Sequence, residues 1–159
     1  MVKASHRAEQ LAVRLGANLV QAQSRAACLP KRPKVFFEEW DDPLISGIGW
    51  VSELVEIAGG IDIFADRASQ GAARNRMATV DEVIAREPDL IIGSWCGKKF
   101  RPERVMARPG FDQVPAVHHQ DLYEIKSSLI LQPGPAALTD GLAELQKIIE
   151  RWAERAVDL

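Results

Sequence analysis

With 159 residues the chain has room for one domain built around a single core. Its 47% apolar and 26% charged residues are the mixture of an ordinary globular protein, and no apolar run approaches the roughly 20 residues that cross a bilayer. A net charge of −2 excludes the basic excess on which non-specific nucleic-acid binding depends.

The first stretch, Met1–Arg7, has basic residues but no apolar segment behind them, so no signal peptide is visible. The expectation is a chain that is cytoplasmic as written or a fragment of an exported protein. Residues 5–28 place Ala8, Leu11, Leu15, Leu19, Ala22 and Ala26 three or four apart, which predicts one long helix. Leu29-Pro30 ends it, because proline disfavours helix in the residue before it. Lys31-Arg32-Pro33 is a polar connector, so the chain divides into 1–33, helix and connector, and 34–159, a lobe.

Lys34–Glu38 reads as a buried strand that empties into an acidic, aromatic loop from Glu39 to Gly49. A helix over Trp50–Ala58 follows, burying either Trp50, Leu54 and Ile57 or Val51, Val55 and Ala58, with Gly59 as its stop. Ile61–Phe64 is a short apolar piece, and 68–77 reads as a polar loop rich in arginine. Thr79-Val80-Asp81-Glu82 spells a capping box for a helix running to about Arg86. After Pro88-Asp89 the run Leu90–Gly93 is a strand of the kind found in parallel sheets. Ser94–Arg101 is a second loop, holding Trp95, Cys96, Lys98, Lys99 and Phe100. Pro102 opens a short helix through Ala107. Val114–Val117 and Leu122–Ile125 read as two more strands, Ser127–Pro135 as a third loop. A closing helix carries Leu138, Leu142, Leu145, Ile149 and Trp152. Strands alternating with helices predict an α/β fold: a three-layer, Rossmann-like lobe with a mostly parallel central sheet, preceded by a long helix.

The segments VFFEEWDDPLISGIGWVSELVEIAGG, TVDEVIAREPDLIIGS, PAVHHQDLYEI and LQPGPAAL occur in an order that is informative as a set. Together they resemble the C-terminal lobe of the class III (cluster A) periplasmic substrate-binding proteins of ABC importers, with the cobalamin-binding branch closest. The resemblance runs from Lys34 to about Trp152, and residues 5–28 resemble the latter part of that family's interlobe helix. It implies capture of cobalamin or a related corrinoid, contact with ABC permease subunits, a periplasmic location and no catalysis. An iron–siderophore or heme lobe of the same family is the alternative, as is a structural or interaction domain that kept the fold without binding. One lobe alone would also leave an inner face uncovered, which favours self-association.

In an open α/β sheet the loops leaving the carboxyl ends of the strands line the ligand crevice. That rule selects Trp40, Trp95 and Phe100 as aromatic faces for a flat ligand, with a loop tryptophan that plugs the core as the structural alternative. Glu38, Glu39, Asp41 and Asp42 are an acidic cluster and candidate acceptors for ligand amides or hydroxyls, or else a solvated turn; their spacing fits no calcium loop, which needs about six oxygens or more. Arg74 and Arg76, beside Asn75, could meet an anionic ligand or lie in a solvated loop. The resemblance implies a permease-docking carboxylate at Asp81, with Glu82 as its substitute. His118 and His119 would point to opposite faces of a strand and so are not a shared metal site. Cys28 and Cys96 are too few and too far apart for a disulfide scaffold or a zinc site and read as buried or idle thiols. There is no Gly-x-Ser-x-Gly elbow, glycine-rich phosphate loop or His-Glu-x-x-His, so no enzyme chemistry, metal or cofactor is expected.

Overall fold

Val35, Phe36 and Phe37 are wholly buried, which explains why the central strand forms where it does. The computed structural model describes residues 2–157; Met1, where the stretch read for a signal peptide begins, lies outside them. β1 (Lys34–Asp41) pairs in parallel with β4 (Leu90–Gly93), and β4 in parallel with β5 (Leu122–Glu124). The other edge of β1 is shared. Lys34 and Val35 lie against β3 (Ile61–Asp62) in parallel, while Glu38 to Asp41 lie against β2 (Leu44–Ser46) antiparallel.

Alternate residues of these strands feed two separate cores, as the two-residue period of a strand requires. Val35, Phe37, Leu90 and Ile92 face one helical layer: α1 (Val2–Ala26), α2 (Gly49–Ile57) and α8 (Leu142–Arg155). Phe36 and Ile91 face the other, with Phe64, Val83 of α4 (Val80–Arg86), Val105 of α5 (Pro102–Met106), and Phe111. Each fully buried side chain of this kind contributes about 1.5–3 kcal/mol. The three-layer α/β architecture is therefore the direct result of apolar runs that are buried on both sides.

The amphipathic helices behave as their stripes require. In α2 the buried set is Val51, Leu54 and Val55, and Gly59 turns the chain at a φ of 98°. Trp50 is only partly buried, its Nε1 donating to the Ile130 carbonyl at 2.9 Å. In α1 Ala22 is buried and Leu19 packs on the core, whereas Val13 and Val20 are exposed. Asn18 fixes α1 by donating to the Leu138 carbonyl at 2.6 Å. α4 begins with the expected capping box, Glu82 N–H donating to Thr79 and Thr79 N–H to Glu82. No helix of the described residues is long and apolar enough to cross a membrane.

Local departures have physical causes. The expected loop at Glu39–Gly49 is instead a hairpin, because β1 runs on to Asp41 and turns at Asp42-Pro43 into β2. Val114–Val117 is not a strand: Pro115 sits at the first position of a short helix, α6 (Pro115–His118), closed by the His118 N–H on the Val114 carbonyl. His118 and His119 therefore do not face opposite ways; their rings meet edge to face at 4.9 Å. The region 68–77 is ordered by the end of α3 (Ala65–Ala68) and a 3-10 turn over Ala73–Arg76. Within the third loop, α7 (Ser127–Ile130) buries Ile130. Cys28 and Cys96 are free and exposed rather than buried.

Candidate functional site

The parallel register sets Glu38 beside Gly93, so β1 and β4 end together and release their following residues at one end of the sheet. Here β1 carries a bulge. Glu38 opposes Ser46 and Trp40 opposes Ile45, leaving Glu39 as the extra residue. A bulge re-aims side chains, and Glu38, Glu39, Trp40 and Asp41 leave the strand toward different partners.

Glu38 points into the core side of Phe36 and has no exposed surface. Burying a carboxylate requires full compensation. Arg108 supplies it with two bonds of 2.6 and 2.8 Å, and Trp95 Nε1 with a third of 2.9 Å. That bond explains why Trp95 is only 3% exposed and packs edge to face on Phe100, itself 3% exposed. Gly93 makes the packing possible, since a Cβ there would lie 1.9 Å from the Phe100 ring. Trp95 and Phe100 thus form the floor beneath the end of the sheet.

Glu39 accepts two bonds from Arg76, at 2.7 and 3.2 Å. Arg76 is 2% exposed, donates also to the Ser46 carbonyl, and accepts at its own carbonyl from Ser46 Oγ at 3.1 Å. It fastens the hairpin to the turn rather than waving in solvent. Asp41 is buried between Lys98 and Arg104, the latter at 3.2 Å. Asp42 is exposed at the hairpin tip, and its carbonyl accepts from Trp40 Nε1 at 2.9 Å.

Trp40 is half-buried over the second core with its ring orientation fixed by that bond. Lys98 lies on it, Nζ 4.0 Å from the ring centroid and 5.2 Å from that of Trp95. The structure therefore brings Trp40, Asp41, Asp42, Trp95 and Phe100 together, with Glu39 and Arg76 on the hairpin side. Lys98, Arg104 and Arg108 complete the cluster, and their types and spacing in the sequence gave no reason to pick them out.

The two candidate docking carboxylates differ. Glu82 is tied to Arg67 and to the Thr79 N–H, and the Arg67 bond above all, then the Thr79 bond, hold its carboxyl down at about 2. Asp81, one residue earlier, is exposed.

A sequence profile described as "Periplasmic binding protein" matches residues 1–129. The chain is 26% identical over 152 residues to an "Uncharacterized ABC transporter substrate-binding lipoprotein", YvrC of Bacillus subtilis (strain 168), covering 92% of this chain and 45% of that one. Among solved structures, a possible iron-binding (periplasmic solute-binding) protein from Staphylococcus epidermidis superposes with a TM-score of 0.76 at 21% identity, over 91% of this chain and 55% of its own. The periplasmic vitamin B12 binding protein BtuF of Vibrio cholerae superposes with a TM-score of 0.64 at 20% identity, over 96% and 54%. The chain spans about half the length of each.

Proposed function

The chain belongs to the periplasmic binding protein family, and on that premise we propose that it supplies one wall of a site for a corrinoid or related metal chelate destined for an ABC importer. The observation that carries this reading is Trp40. Its indole is held in one orientation by the Asp42 carbonyl, above a floor of Trp95 and Phe100, at the end of the sheet where α/β proteins take their ligands. A fixed, flat aromatic face of this kind suits the apolar surface of a macrocycle. The single tyrosine is engaged elsewhere, donating to Asp121 at 2.9 Å, while His118 and His119 sit on and just beyond α6 and His6 on α1. The cluster thus offers ring faces, hydrogen-bond acceptors and charge, which fits a ligand whose metal is already coordinated. Ferric siderophores share that property, and the flat Trp40 face favours the corrinoid over them.

A non-binding reading has its own support, since Glu38, Glu39 and Asp41 are each satisfied by cations within the lobe. Titration decides between them. Tryptophan emission is followed while cyanocobalamin, haemin or a ferric hydroxamate is added. Trp40→Ala should weaken binding of the preferred chelate by about 1–3 kcal/mol, the scale of an aromatic anchor, with little change in melting temperature. A large fall in melting temperature at unchanged affinity would assign Trp40 to the core instead.

We further propose that Asp81 meets the permease, because Glu82 is spent on Arg67 and the helix cap. Asp81→Asn in a two-lobed protein should leave chelate affinity unchanged and abolish uptake; normal uptake removes Asp81 from that role. This reading places the protein on the outer side of the cytoplasmic membrane, in keeping with a lipoprotein relative.

A further inference from the structure

We propose that Lys98 sets the charge preference of the site, admitting corrinoids or similar macrocycles that carry free peripheral carboxylates over those whose periphery is neutral. The proposal rests on the reading of Trp40 as the stacking face. In the structure that face is covered: the Lys98 ammonium lies 4.0 Å from the Trp40 centroid, within cation–π reach. A macrocycle stacking on Trp40 must first displace it.

Displacement is inexpensive for the protein and directional for the ligand. Lys98 also pairs with Asp41, a carboxylate only 3% exposed, and losing a sole partner would strand a buried charge. Asp41 is not stranded, because Arg104 holds its other oxygen at 3.2 Å. The Lys98 side chain is 34% exposed, so it has a way out to solvent. The backbone before it can follow, since Gly97 sits at a φ of 73° with open space around it and Cys96 is exposed.

Once displaced, the ammonium stands at the rim of the ring it has vacated. A carboxylate on the macrocycle edge gives it a charge-assisted partner in place of the indole. A neutral ester or amide edge replaces it less well. Arg104, whose Cζ is 5.8 Å from the Trp95 centroid, adds a second positive group on the same side. Charge at the ligand edge is thereby rewarded and neutrality is taxed.

The test compares dicyanocobyrinic acid with its heptamethyl ester, the same corrin with and without peripheral carboxylates, on the wild-type chain and on Lys98→Ala. Acrylamide quenching of tryptophan emission without ligand is measured alongside. The variant should show greater quenching, bind the ester several-fold tighter, and bind the acid about tenfold more weakly, the loss of one charge-assisted contact. The two affinities moving in opposite directions is the signature. Affinities that move together or not at all, or quenching that does not rise, overturn the role of Lys98 even if both corrins bind. Failure of the wild-type chain to bind either corrin overturns the corrinoid reading itself, and the preference with it.

Discussion

Arg108→Met is expected to destabilise the lobe by about 3–5 kcal/mol, because it leaves the fully buried Glu38 carboxylate without its ionic partner. Among the described residues the Trp95 N–H is the one side-chain donor left to it, and a single hydrogen bond to a charged group is worth only about 1.5–3 kcal/mol. Urea unfolding at neutral pH measures the loss. The double variant Glu38→Leu with Arg108→Met tests the cause. Replacing a buried pair by apolar groups of similar size is often neutral or stabilising, so the double variant should recover part of the lost stability, the remainder being the cost of about 1–3 kcal/mol of leaving the buried Trp95 N–H without its acceptor. A double variant as unstable as the single one would show that Arg108 acts through its packing over Phe111, whose ring lies 5.2 Å from the guanidinium carbon.

A loss of similar size is expected from Phe64→Ala, by a different route. Phe64 has no exposed surface, meets Phe36 edge to face at 5.5 Å, and has the Arg86 guanidinium 4.4 Å from its centroid. Truncating a buried phenylalanine costs about 3–5 kcal/mol through lost transfer energy and the cavity left behind. Arg86 also holds Asp66 at 2.7 Å, which keeps that carboxyl below its usual range, so the ring anchors an ion pair joining α3 to α4. Phe64→Leu retains much of the volume and should cost well under half as much. Neither variant alters Trp40 or the residues that orient it, so chelate affinity should survive in both. Equal destabilisation by Ala and Leu would mean that edge-to-face geometry and the arginine contact, rather than volume, carry the effect.

The apolar runs of β1 and β4, the Thr79 capping box and the stripe of α8 were legible because each is a local pattern with one structural outcome. Where the reading failed, a competing local signal won or no local signal existed. Val114 and Val117 suggested a strand, but Pro115 supplied a helical first position. β2 is three residues long and owes its existence to pairing with β1, which spacing does not reveal. The site was legible in part. Trp40 and its acidic neighbours stand out in the sequence as a loop after a strand, and they lie instead on the last residues of that strand and its turn. Their partners do not stand out, since Arg76 is 37 residues from Glu39 and Arg108 is 70 from Glu38. Trp95 looked free for a ligand only while Glu38, which captures its N–H, was grouped with its acidic neighbours as a ligand-facing cluster.

The two-sided burial of β1 has a consequence for the chain while it is being made. β2 and β3 follow β1 closely along the chain, but β4 and β5 come much later and α8 after them all. Leu142, Leu145 and Ile149 of that last helix belong to the same core as Val35 and Phe37. That side of the sheet has α1 and α2 at hand early but stays only partly covered until α8 has been made, and exposed apolar strands are what draw nascent chains into aggregates or onto chaperones. In this lobe the first strand made waits for the closing helix before it is fully enclosed.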